Sequence, residues 1–112
     1  MRKRCLVALI CCLIIMTSAW AQDTRMALVI GIGSYKSVPP LRNPPRDARA
    51  VGAKLRGLGF QTEVVIDPDR TALERAIRGF GDKARSADVA LVYYAGHALE
   101  AAGENYLAAC RT

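Results

Sequence analysis

His97 is the only histidine in the chain, and an imidazole is the side chain best suited to take or give a proton near neutral pH. It follows Gly96 and the apolar run Val89-Ala-Leu-Val-Tyr-Tyr-Ala95, so one flexible glycine separates it from a buried strand. There it can do acid–base work, provided that a partner group is present. The thiol closest in sequence is Cys110, 13 positions further on, in Ala108-Ala-Cys-Arg-Thr112. No helix and strand intervene to return Cys110 to the same strand end. It therefore reads better as a free thiol near a frayed terminus than as a nucleophile. One histidine and one such cysteine do not make a zinc site, so neither metal nor cofactor is expected. Gly31-Ile-Gly33 is a lone G-x-G with prolines where a phosphate-binding helix should start, which makes nucleotide binding a weak reading.

The elements that must carry these groups are legible from periodicity. Arg25-Met-Ala-Leu-Val-Ile-Gly31 is a continuous apolar run of strand length, as a central position in a parallel sheet requires. A loop rich in proline follows to Pro45. Asn43 is an acceptable N-cap for a helix whose apolar face is Ala48, Val51, Leu55 and Leu58, and Gly59 suits its left-handed end. Phe60, Thr62, Val64 and Ile66 alternate with wetter neighbours as a second strand. After the turn Asp67-Pro-Asp-Arg70, Thr71 and Glu74 have capping-box spacing for a helix on Leu73, Ala76, Ile77, Phe80 and Ala84. Val89–Ala95 is the third strand, and Glu104–Ala109 begins a short extended piece. Strand, helix, strand, helix, strand predicts two right-handed βαβ crossovers and an α/β fold with a parallel sheet. Ligands bind such sheets at the carboxyl ends of the strands. The loops 31–45 and 96–103 would face one crevice there.

The N-terminus belongs to no such element. Arg2-Lys-Arg4, the apolar run Cys5–Met16 and the small residues before Ala21 have the order of a secretory signal cut after Ala21. Twelve apolar residues are too few to cross about 30 Å of hydrocarbon, so no permanent membrane anchor is expected after cleavage. Loss of residues 1–21 from 112 leaves 91 in the domain 22–112, and loss of three basic residues lowers the formal charge from +6 to +3. Cys110 alone of four cysteines remains, so no internal disulfide forms in the secreted or periplasmic compartment implied. Arginines scattered on helices without interleaved aromatics read as a solvated face, and no nucleic-acid partner is expected.

Tyr93-Tyr-Ala-Gly-His97 after an apolar strand resembles the histidine block of caspase-like cysteine peptidases, including bacterial metacaspase relatives. Ala27-Leu-Val-Ile-Gly-Ile-Gly-Ser-Tyr35 is similar to their first strand and loop, Leu41-Arg-Asn-Pro-Pro-Arg-Asp-Ala48 to their L-x-N-P-x-x-D-A segment, and Asn105-Tyr-Leu107 to the N-Y-L after the histidine block. The resemblance covers Arg25 to Leu107 with four blocks in order. It implies a caspase-like three-layer sandwich, here truncated after the third strand. It implies that His97 is the dyad histidine, polarising a thiol and protonating the leaving amine. Gly96 and Ala98 would frame it beside the oxyanion hole, although the family has glycine where Ala98 stands. Asp47 would be the acid that accepts a basic P1 side chain; its other reading is a first-turn acid stabilised by the helix dipole.

Such peptidases carry their cysteine about 50 residues after the histidine, beyond Thr112. The chain by itself is therefore expected to be inert, with protein or peptide substrates met only when a further segment or second chain completes the domain. The alternative is a pseudo-peptidase that binds peptides or a partner. Calcium dependence has no supporting residues. An open edge on the third strand predicts low stability, self-association or dependence on a partner.

Overall fold

A computed structural model describes residues 23–110; the signal segment expected at 1–21 lies outside the described residues. β1 (Arg25–Gly31) lies at the centre of a three-stranded parallel sheet, with β2 (Gln61–Ile66) on one side and β3 (Val89–Ala95) on the other. The steps β1→β2 and β2→β3 run in opposite directions across the sheet. Right-handed crossovers then place α1 (Asn43–Gly57) and α2 (Arg70–Ala84) on opposite faces, giving three layers.

The unbroken apolar run of β1 supplies both interfaces. Ala27 and Val29 pack with Ala48 and Leu55 of α1, whereas Leu28, Ile30 and Ile32 pack with Leu73 and Phe80 of α2. Each fully buried Val, Leu or Ile of this kind contributes about 1.5–3 kcal/mol. Gly52 lets α1 approach β2, since a Cβ there would stand 2.5 Å from Val64 Cγ2. β3 differs from its expected fully apolar burial: Val89 and Val92 are exposed. It is the outer strand of the described sheet, and α2 lies over β1 rather than over β3.

Both expected helix starts are corrected. Asn43 is the first residue of α1, not its N-cap; Arg42 stands at the cap with helical dihedrals and no side-chain cap bond. Pro44 and Pro45 follow at once, and lacking N–H groups they remove two of the donors a cap would serve. In α2 the cap is Asp69, whose carboxylate accepts from the Ala72 N–H at 2.8 Å. Thr71 is thus inside the helix, and Glu74 pairs with Arg70 instead of closing a capping box. Gly59 has the expected left-handed backbone, φ +86°. Leu58, counted on the apolar face, is exposed because α1 ends at Gly57.

The short extended piece is a hairpin, β4 (Ala98–Ala101) with antiparallel β5 (Glu104–Leu107). Ala102 and Gly103 turn it with φ +53° and +80°, the all-positive pattern of a type I′ turn. The hairpin starts directly after His97.

Candidate active site

β1 and β3 are neighbours whose chains leave the sheet in different directions. Their carboxyl ends form the switch point at which α/β sheets bind ligands. The loop after β1 and the residues after β3 meet there. Ile32 N–H donates to the Ala95 carbonyl at 2.9 Å, prolonging the ladder by one residue. Three positions on, Tyr35 reaches His97. The His97 N–H donates to the Tyr35 hydroxyl at 2.7 Å, and that hydroxyl donates to the Ile32 carbonyl at 3.1 Å. The two rings lie 4.7 Å apart, tilted by 59°.

The His97 carbonyl is held as well. It accepts from the Tyr94 hydroxyl at 2.6 Å and from the Ala108 N–H at 3.1 Å, which ties the hairpin base to β3. The main chain of the histidine is thus bonded on both sides, while its imidazole lies beside the Tyr35 ring. Tyr94 is pushed well above the usual tyrosine range, chiefly by burial and then by its hydrogen bond with Tyr35. A raised value means that the folded state holds the proton longer than the unfolded chain does. The stability this contributes is complete below pH about 10, and it is lost as pH rises from there toward the folded value. Thermal unfolding followed above pH 10 should show a falling Tm, with a smaller fall in Tyr94→Phe; equal falls in both proteins would refute the assignment.

The residues expected at the site fall into two groups. Gly96, His97 and Ala98 are together, as their adjacency requires. Gly96 is needed for space rather than for its dihedrals: a Cβ would meet the Tyr35 hydroxyl at 2.6 Å and the Tyr94 hydroxyl at 2.8 Å. Ala98 stands in the extended backbone of β4 and has no positive φ, so the position makes no demand that only glycine could meet. Asp47 is exposed on α1, across the sheet from α2, and it does not line the cleft beside His97. Nor is it a first-turn acid, because the helix starts at Asn43 and its first turn holds no acidic residue. Cys110 is not frayed. It is a free thiol, half-buried against the core cluster of Leu28, Leu73 and Phe80, and its N–H donates to the Pro68 carbonyl at 2.9 Å. It too is absent from the lining of the His97 cleft.

That cleft, of about 720 Å³, opens between α2 and the hairpin. Leu73 and Ile77 form one wall and Leu99 and Tyr106 the other, with His97 and Tyr35 at its end. A hollow of about 280 Å³ beside Met26, Gln61 and Lys83 lies at the opposite end of the strands, away from His97. Among the described residues no group of three His, Cys, Asp or Glu side chains is placed to hold a metal ion, and no helix is long and apolar enough to cross a membrane.

A histidine just past the third strand of a 2-1-3 parallel sheet, locked to the loop after the first strand, matches the expectation raised by the sequence blocks. The family model described as caspase domain matches residues 24–112. The chain belongs to the caspase-domain family. No curated protein matches it. In this caspase domain the four sequence blocks acquire physical roles. The first block contains the loop with Tyr35, the second forms the Pro-rich start of α1, the third ends on His97, and the N-Y-L block lies in β5, directly before the Ala108 N–H that donates to the His97 carbonyl.

Tyr35 and Asp67 are the residues at this edge that the sequence reading missed. Tyr35 was visible only as the last residue of a motif, and Asp67 only as a turn former. An aromatic with a hydroxyl four residues after a strand was the one available signal for the first.

Proposed function

We propose that this caspase domain is the histidine-bearing part of a cysteine endopeptidase, with His97 as the general base and acid of a Cys–His dyad. The observation that carries this reading is the bonding of His97: both main-chain groups are held, and the ring is fixed against Tyr35 at the end of an open cleft. In this reaction His97 takes the thiol proton as the sulfur attacks the peptide carbonyl, and it gives that proton to the departing amine. The thiol comes from a further strand, in the same or a second polypeptide. Asp47 remains the carboxylate proposed for a basic P1 side chain, tested by whether Asp47→Asn narrows the preference for arginine over alanine substrates.

A second reading is favoured by one observation: the thiol among the described residues, Cys110, does not line the apolar cleft beside His97. The domain is then a peptide-binding module without hydrolysis. Treating the polypeptide as cells produce it with a thiol-directed peptide ketone carrying arginine separates the two. The peptidase reading expects covalent labelling at a cysteine other than Cys110, slowed at least about 100-fold in His97→Ala. Saturable peptide binding with no labelling and no cleavage would establish the module instead.

A further inference from the structure

Asp67 directly follows β2 with φ +47°, a left-handed backbone that Asp and Asn tolerate better than other residues with a side chain. Its N–H donates to the Gly31 carbonyl at 2.9 Å. One carboxylate oxygen, Oδ1, accepts from the Gly33 N–H at 2.8 Å and from the Ser34 N–H at 3.0 Å. Three hydrogen bonds from a single residue therefore clamp the segment 31–34 to the end of β2. The next residue is Tyr35, which bonds the His97 N–H and sets its ring 4.7 Å from the imidazole, tilted by 59°. Hydrogen bonds to an ionised acceptor are stronger than neutral ones, and here the accepting charge is spread over two consecutive amides of the loop that aims Tyr35.

We infer that Asp67 is a positioning residue for His97, acting through the loop 33–35 and the Tyr35 side chain. The inference rests on reading His97 as the acid–base group of the site. Asp67 does not line the cleft beside His97, so it acts on the histidine through other residues. Its carboxylate sets where the β1 loop leaves the sheet, that path sets the Tyr35 ring and hydroxyl, and these set the His97 backbone and imidazole.

The single histidine makes the test direct, because its imidazole Hε1 proton gives one assignable NMR resonance. Asp67→Gly removes the carboxylate while suiting the left-handed backbone, so it separates the clamp from backbone strain. In the full chain this variant should move the His97 Hε1 resonance toward that of an imidazole with no aromatic ring beside it. It should also speed exchange of the His97 amide about tenfold. Asp67→Asn keeps an acceptor oxygen and tolerates the same φ, so it should restore both readings to near the wild-type values. Unchanged His97 signals in Asp67→Gly, or an Asp67→Asn protein that behaves like Asp67→Gly, would overturn the inference. Should Asp67→Gly fail to fold, native-state exchange of the wild-type protein in low urea reads the same link. The Gly33, Ser34 and His97 amides should then open together, and independent opening of His97 overturns it. Peptide-ketone labelling reports on the peptidase reading separately, and these NMR outcomes stand whichever way that labelling falls.

Discussion

Replacing Gly33 by alanine should destabilise this caspase domain by about 3 kcal/mol, the upper end of the overpacking range. A Cβ at this position would overlap the Leu41 carbonyl, and it would stand 2.9 Å from both Cδ and Cγ of Pro45. None of these atoms is the free end of a flexible side chain. The Leu41 carbonyl is main chain, and the Pro45 ring is fixed within the first turn of α1. Gly33 itself is pinned from both sides, since its N–H donates to Asp67 and its carbonyl accepts from the Leu41 N–H at 2.7 Å. Any relief of the overlap must therefore break the loop that carries Tyr35. For a domain of this size about 3 kcal/mol corresponds to roughly 12–24 °C in Tm. Gly79→Ala is the matching control. Gly79 lies exposed inside α2 with nothing within 4 Å of an added Cβ, so alanine there should stabilise the helix by about 0.5–1 kcal/mol. Thermal melts of the two variants should shift in opposite directions. A Gly33→Ala protein that melts with the wild type would show that the loop is not packed as described.

Leu28→Ala should cost about 2–5 kcal/mol, a large share of the 5–15 kcal/mol that holds a typical domain together. Leu28 is 0 % exposed and packs with Ile30, Ile32, Leu73 and Phe80 between β1 and α2. Strands flank it on both sides, opposite Glu63 in β2 and Val92 in β3, so the backbone is poorly placed to close over the space that the lost methyls leave. Val92 shares its row of the sheet but is 57 % exposed, because α2 does not cover β3. Val92→Ala should therefore change stability by no more than about 0.5 kcal/mol, as surface substitutions do. Urea unfolding of both proteins measures the contrast. Equal losses at the two positions would mean that β3 is covered in solution by something other than α2.

These two residues also show how far local pattern carries. The continuous run Met26–Ile30 announced a strand buried on both faces, and β1 is that strand. The run Val89–Ala95 is just as apolar, yet it lies at the outer edge of the described sheet with a half-open face. Periodicity reports which side chains prefer burial; the packing of α2 decides which of them find it. The helix starts show the same division. Prolines at the start of α1 and an acid ahead of α2 were both visible, but the choice of Arg42 and Asp69 as cap residues came from the path of the chain into each helix.

The sequence by itself determined the order of elements, the parallel sheet and the position of His97 one glycine beyond a strand. Each follows from residues within about ten positions of one another, where propensity, period and turn chemistry operate. Tertiary structure alone decided what holds the histidine. Tyr35 and His97 are 62 positions apart, and Asp67 is 34 from the Gly33 amide that it accepts from. It also decided that Gly96 is needed for two tyrosine hydroxyls, and that neither Asp47 nor Cys110 lines the histidine's cleft. Such contacts depend on which loops converge at the carboxyl edge of the sheet. No local spacing encodes that convergence; it exists once strand order 2-1-3 has brought the ends of β1, β2 and β3 side by side.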